Sequence, residues 1–257
     1  MKQMLATVVS NHEVMPKAYL IWLEAPQIAS EARPGQFVMV NCGNTLVLPR
    51  PLSIHQRDDN KIALLFNIVG KGTRWLSQRC IGNTIDIFGP LGNGSSVLPE
   101  TKNLLLVAGG IGIAPLYFLA QEALNEGRAV TLIFGTQSGS QLYPERHLPV
   151  GIKLAQATED GTVGHHGLVT DLLPDYIDWA DHVFACGPMP MYRDIYIQRE
   201  KLLKGKPLQV SLEVRMGCGL GVCYGCTVKT KSGLKQVCQD GPVFDLEDIL
   251  FEKDNEK

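Results

Sequence analysis

Lysine and arginine, 24 together, nearly cancel 26 aspartates and glutamates, so the chain carries a formal charge of only −2. That balance leaves neither the basic footprint of a nucleic-acid surface nor a polybasic membrane patch, and neither partner is expected. No apolar core opens "MKQMLATVVSNHEVMPK", so no secretory signal is expected and the chain reads as cytoplasmic. The most membrane-like run, "LLLVAGGIGIAPLYFLA" (Leu104 to Ala120), is uncharged over seventeen residues, but "GGIG" and Pro115 interrupt it. It reads better as a buried strand, a glycine turn and a helix. Internal repeats and low-complexity linkers are missing as well. Seven cysteines are an odd number and only four of them cluster. Without a secretory signal that argues against a disulfide framework and for bound metal or redox work.

What is present suits a folded, multidomain chain. Its 257 residues exceed the usual compact domain, and 45% hydrophobic residues can fill a core. Residues 1–97 read as an antiparallel β-barrel: "QFVMVNC", "KIALLFNIV" and "TIDIFGP" are short β-branched or aromatic runs between the turns "RPG", "RDDN", "GKG" and "GNG". Residues 98–210 change rhythm. "NLLLVAG", "AVTLIFGT", "KLAQATED" and "DHVFACG" are strands, and "PLYFLAQEALNEG" and "MPMYRDIYIQREKLL" are helices, which predicts a parallel-sheet α/β domain. Residues 211–257 form a small cysteine-rich domain.

Cys218, Cys223 and Cys226 follow the C-x4-C-x2-C spacing of plant-type [2Fe–2S] centres, with Cys238 after eleven intervening residues. Gly217, Gly219, Gly221 and Gly225 permit positive φ and let backbone N–H groups approach the sulfurs. A four-cysteine zinc site and a C-x2-C dithiol are the other readings, although zinc favours two short pairs and a dithiol leaves Cys218 and Cys238 unexplained. Cys42 and Cys80 read as small buried hydrophobes.

Two turns look built for a dinucleotide. "GGIGIAPL", with Gly110 and Gly112, leads a strand into a helix whose N-terminus favours anions. "CGP" (Cys186, Gly187, Pro188) ends a later strand, although Cys186 reads equally well as a packing residue. No basic residue follows "TLIFGT" before Arg146, which favours NAD over NADP. In the barrel, Arg50 of "RPLS" can fork onto a diphosphate, Ser53 can bond a flavin nitrogen, and "GKGT" offers N–H groups and a hydroxyl. Taken singly, Arg50 is also an ordinary surface ion-pair residue and "GKGT" an ordinary turn.

Together, R-x-x-S, G-x-G-T, G-G-x-G-x-A-P and C-G-P resemble the ferredoxin–NADP reductase family. With the cysteine unit appended, nearly the whole chain resembles the electron-transfer subunits of class 1B dihydroorotate dehydrogenases. That resemblance implies FAD on Arg50, Pro51, Leu52, Ser53, Asn67, Ile68, Val69, Gly72 and Thr73, a [2Fe–2S] cluster on the four cysteines, and NAD as substrate. It implies an FMN-containing catalytic partner that oxidises dihydroorotate, assembled as a heterotetramer of two plus two, with electrons passing from FMN through the cluster and FAD to NAD⁺ in pyrimidine biosynthesis. A flavin–iron subunit of a sulfide dehydrogenase, cytosolic hydrogenase or transhydrogenase is the alternative. No catalytic acid or base is expected. His165 and His166 read as solvated loop residues. Leu52 stands where many reductases carry a flavin-stacking aromatic, and the ending "FEKDNEK" lacks the terminal aromatic of the plant enzymes, so one flavin face is expected to be more open.

Overall fold

A computed structural model describes residues 1–43 and 46–251. Strands β1 (Lys2–Met15), β2 (Ala18–Glu24), β3 (Phe37–Val40), β4 (Arg50–Asp58), β5 (Lys61–Asn67) and β6 (Thr84–Leu91) close into an antiparallel barrel in the order β1-β2-β5-β4-β3-β6. Closure leaves no free edge, and the inward residues Val38, Val40, Ile54, Ile62, Leu64 and Ile85 fill the interior.

The second sheet contains β7 (Asn103–Gly109), β8 (Ala129–Thr136), β9 (Lys153–Thr158), β10 (His165–His166), β11 (His182–Cys186) and β12 (Leu208–Ser211), ordered β10-β9-β8-β7-β11-β12 and parallel throughout. Continuous apolar runs such as Leu104–Ala108 suit strands covered on both faces. β13 (Thr227–Thr230) and β14 (Gly233–Gln236) form a hairpin, and β15 (Val243–Asp245) adds antiparallel to β12. The cysteine-rich segment is therefore stitched into the α/β sheet.

The stretch that mimics a membrane span is β7, a single 3-10 turn over Gly110–Gly112 and the helix Ile113–Asn125. Among the described residues no helix is long and apolar enough to cross a membrane. The helix is apolar nearly all round because it is wedged between domains. Leu116 and Leu119 join a core shared by the sheet and the barrel's outer face, while Phe118 enters the barrel interior. The reading of "MPMYRDIYIQREKLL" as one helix is corrected: Met189–Ile197 and Arg199–Leu202 are separate, parted at Gln198.

His182 opens β11 at the sheet end opposite the glycine turns; it is only 1% exposed and neither ring nitrogen has a hydrogen-bond partner. Burial lowers it to about 4, against a smaller opposing pull from Glu100. Between pH 4 and 6.5 the unfolded chain then binds the proton that the folded chain refuses, so stability is lost as pH falls through that window. We expect His182→Phe to raise the thermal midpoint at pH 5 more than at pH 8, a differential on the order of 2 kcal/mol. Equal shifts at both values would refute a neutral buried imidazole.

Candidate functional site

Two cavities meet at the domain junction. The barrel-side cavity, about 670 Å³, is walled by Arg50, Pro51, Leu52 and Ser53 of β4, by Asn67, Val69 and Thr73, and by Ile111 and Ala114 from the glycine turn and helix. β4 reaches it because its pairing with β3 sets Arg50 opposite Val40 and Ser53 opposite Phe37 at the barrel rim. Arg50 lies across the turn of "GKGT": a Cβ on Gly72 would meet its Nε at 2.8 Å. Its guanidinium is turned onto the Leu48 carbonyl.

Not every residue of that set reaches the wall. The Ile68 N–H donates to the Lys17 carbonyl at 2.8 Å, and Gly72 lies beneath Arg50. The Thr73 hydroxyl accepts the N–H groups of Val69 at 2.9 Å and Gly70 at 3.2 Å, so it braces its own turn. The opposite wall was missed in the sequence: Ser211–Met216, from the last residue of β12 onward, faces the cavity with Val214 and Arg215. The covering of that side therefore comes from the segment that follows β12, whereas the polar ending after Phe251 lies outside the described residues. The signal lies in "SLEVRM", an apolar strand end running straight into charged residues.

The second cavity, about 510 Å³, joins Gly110, Gly112, Gly187 and Pro188, so the two glycine turns converge on one cavity. They touch. A Cβ on Gly112 would fall 1.9 Å from the Cys186 carbonyl oxygen, and one on Gly109 2.9 Å from Pro188. Cys186 contributes backbone only: its side chain is fully buried, outside the cavity wall, and burial pushes its thiol far up. Beside it the Tyr192 hydroxyl accepts the Gly187 N–H at 2.9 Å and donates to the Ser211 carbonyl at 2.6 Å. The wall holds Glu159, Asp194 and Glu213 and neither lysine nor arginine. Ile111 and Glu213 border both cavities. Glu213 keeps surface in the crevice, yet the crowded protein around it holds its carboxyl above the usual range.

The cysteine loop presents two sulfur pairs. Cys226 and Cys238 lie 3.4 Å apart, Sγ to Sγ, and Cys218 interacts with Cys223. Backbone N–H groups already point at sulfur: Leu220 to Cys218 at 3.3 Å, Gly221 to Cys238 at 3.2 Å and Gly225 to Cys223 at 3.5 Å. Burial works to raise Cys218, but the N–H groups of Leu220, Cys223 and Val222 and the Cys223 thiol outweigh it and leave the thiol at about 7. Cys238 is pushed up to about 12, by burial first and by the Cys226 thiol next. Only Gly219 and Gly221 take positive φ, at 70° and 75°; Tyr224 supplies the third left-handed residue at 58°. A Cβ on Gly217 would crowd the Cys223 sulfur at 3.3 Å, whereas one on Gly225 would make an ordinary contact with it at 3.5 Å.

Among the described residues no three His, Cys, Asp or Glu side chains converge as a single-ion site. Paired thiols with N–H donors aimed at them fit a two-iron cluster better than one zinc ion. Cys226 and Cys238 belong to the same buried core as Phe37, Met39 and Leu91 of the barrel, so the loop is packed and does not trail as a tail. Of the other thiols, Cys42 is buried as expected and raised to about 11 by desolvation, whereas Cys80 is exposed, which corrects the reading of it as a buried hydrophobe. His165 and His166 are exposed, as expected, but the reading of them as loop residues is corrected: they form the short edge strand β10, paired parallel with β9.

Residues 213–250 match the iron–sulfur cluster binding domain of dihydroorotate dehydrogenase B. The chain is 36% identical over 254 residues to a dihydroorotate dehydrogenase B (NAD(+)) electron transfer subunit of Caldanaerobacter subterraneus subsp. tengcongensis, covering 97% of this chain and 99% of that one. A protein of the same name from Desulforamulus reducens is 39% identical over 259 residues, covering 96% and 98%. A solved NADH-dependent reduced ferredoxin–NADP oxidoreductase structure, reported for flavin-based electron bifurcation, superposes with TM-score 0.87 at 30% identity, covering 96% of this chain and 90% of that one. The reductase of carbazole 1,9a-dioxygenase shares the fold at TM-score 0.66 and 20% identity, covering 81% of this chain and 68% of that one. With this likeness running from end to end at 36–39% identity, the chain belongs to the family of dihydroorotate dehydrogenase B (NAD(+)) electron transfer subunits.

Proposed function

We propose that this chain is the NAD-linked electron-transfer subunit of a heteromeric dihydroorotate dehydrogenase, working with FAD, a [2Fe–2S] cluster and NAD beside an FMN-bearing catalytic partner in pyrimidine biosynthesis. The observation that carries it is contiguity. The flavin-side and nucleotide-side cavities share Ile111 and Glu213, and Phe37 on the flavin-side wall lies in one core with Cys226 and Cys238. When bound, the cluster would carry electrons singly and the flavin could take them singly or in pairs, which joins a one-electron cluster to a two-electron nicotinamide.

The chain's own residues bind and orient. Arg50 and the backbone around Val69 would hold the FAD diphosphate, with Leu52 and Ser53 along the flavin ring and Asn67 at its edge. Gly110, Gly112, Gly187 and Pro188 would admit the NAD pyrophosphate to the helix start. Cys218, Cys223, Cys226 and Cys238 would hold the iron. Glu213, reaching the crevice between the cavities, is placed to hold the proton that accompanies two-electron reduction of a flavin. Leu220, Val222 and Tyr224, exposed on the cysteine loop, give it an apolar outer face suited to a protein partner. We assign the domains as 1–97, 98–210 and 211–257, place the protein in the cytoplasm, and take the assembly as two copies of each subunit.

The choice of NAD follows from charge. Glu159 lines the nucleotide cavity immediately after β9, where its carboxylate can accept ribose hydroxyls and repel a 2′-phosphate. Glu159→Gln should shift the NADPH-to-NADH ratio of kcat/KM upward by roughly tenfold, mainly through a lower KM for NADPH. An unchanged ratio would remove Glu159 from nucleotide selection.

A second reading keeps the cofactors and changes the partner, favoured by the likeness to the ferredoxin–NADP oxidoreductase structure. Anaerobic purification with the catalytic subunit, then titration with dihydroorotate under optical and EPR observation, separates the two. Flavin bleaching, a rhombic reduced-cluster signal and NADH formed on adding NAD⁺ support the first. A protein reduced by NADH but never by dihydroorotate, beside an active partner, supports the second.

A further inference from the structure

His55 lies two residues beyond Ser53 on β4 and is completely buried. Its Nδ1 is 2.8 Å from the Ala114 carbonyl, in the first turn of the helix that follows the dinucleotide glycines, and its Nε2 is 3.2 Å from the Tyr143 hydroxyl. A carbonyl can only accept, so Nδ1 carries the proton, Nε2 of the neutral ring accepts, and Tyr143 donates. Tyr117 packs on the imidazole with ring centres 4.5 Å apart, and Tyr143 meets it edge-on at 5.5 Å.

One side chain thus ties three elements together. Ser53 and Ala114 both wall the flavin-side cavity, and Gln141, two residues before Tyr143, walls the nucleotide cavity. A hydrophobic residue would fill the same space without fixing the register of strand against helix, whereas a directional bond to a helix carbonyl does fix it. We propose that His55 is a positioning residue: through Ala114 it sets the spacing between the flavin-bearing strand and the nucleotide helix, and so the approach of nicotinamide to flavin. This rests on the reading of the two cavities as FAD and NAD sites. Burial also keeps the ring neutral, with its pKa near 4, so the single tautomer persists across ordinary pH.

The test uses the holoprotein with its partner and three variants. Transfer is read as flavin bleaching by NADH in stopped flow, and the tautomer by ¹⁵N imidazole resonances. His55→Phe should slow flavin reduction about tenfold or more while FAD content, cluster content and the NADH dissociation constant stay within about threefold of wild type. His55→Asn, whose amide can still donate to Ala114, should recover most of the rate. Tyr143→Phe removes the donor to Nε2 but leaves the Ala114 carbonyl to hold the proton on Nδ1, so the single Nδ1–H tautomer and most of the rate should persist; it keeps the idea testable should His55→Phe fail to fold. Flavin reduction at the wild-type rate in His55→Phe, loss of FAD in both His55 variants, or an Nε2–H tautomer in wild type or in Tyr143→Phe would each overturn the proposal. Failure of NADH to reduce the wild-type flavin would instead sink the functional reading beneath it.

Discussion

Cys223→Ser should cut electron flow from the catalytic partner to NAD⁺ at least about a hundredfold while leaving flavin reduction by NADH within about twofold of wild type, because a hard alkoxide is a poor substitute for thiolate at iron. The structure makes this substitution unusually clean. Cys223 is exposed, its sulfur accepts the Gly225 N–H at 3.5 Å and interacts with Cys218, and it lies outside the buried core that contains Cys226 and Cys238. The same change at Cys238 would mix loss of a ligand with loss of packing, since that side chain is 2% exposed. Cys80→Ser, at another exposed thiol far along the chain, provides the control and should alter neither activity. The readouts are iron content, the reduced-cluster EPR signal, dihydroorotate-driven NADH formation and stopped-flow flavin bleaching. If flavin reduction by NADH vanished along with the cluster, the separation of a cysteine loop from a flavin–nucleotide junction would be wrong.

That separation was legible in the sequence to an unequal degree. Local chemistry showed through. Closed β-alternation over the first ninety or so residues, strand–helix alternation after it, and the C-x4-C-x2-C spacing each reflect constraints between near neighbours, and all three appear where expected. Constraints between distant segments did not. That β15 returns to extend the parallel sheet, that Ser211–Met216 forms a wall of the flavin-side cavity, and that His55 bonds a carbonyl 59 residues away depend on how whole domains dock. Cys186 and Thr73 show the same limit at finer scale. Both lie in the turns, but where a polar atom points is decided by one rotation: the Cys186 thiol is buried away from the nucleotide cavity, and the Thr73 hydroxyl, at the flavin-side wall, bonds its own turn. The glycines of the cysteine loop divide likewise: spacing foretold a tight loop, not which residues take positive φ, and Tyr224 takes one of those places.

Gly112→Ala should be the most damaging single-methyl change in the nucleotide domain. The glycine's own φ of −58° suits any residue, so conformational freedom is not the reason. Space is. The added carbon would lie 1.9 Å from the Cys186 carbonyl oxygen and 2.4 Å from its carbon, and both belong to backbone at the end of β11, which cannot rotate aside as a side chain would. To relieve the overlap, the turn after β7 must draw away from the turn after β11 by more than 1 Å. These are the two turns that converge on the nucleotide cavity, and β7 and β11 are paired neighbours, Ala108 beside Cys186. We expect a stability loss of about 3 kcal/mol and an NAD affinity lowered roughly a hundredfold, with FAD content retained. Gly110→Ala provides the contrast. Nothing lies within 4 Å of its added carbon, and its φ of +56° is a left-handed conformation that costs alanine only about 1 kcal/mol. The comparison is made by thermal unfolding and by NADH titration of the holoprotein. If the two variants lost equal stability, backbone conformation rather than close approach would govern this turn, and the contact between the two dinucleotide loops would have to be looser than 1.9 Å implies.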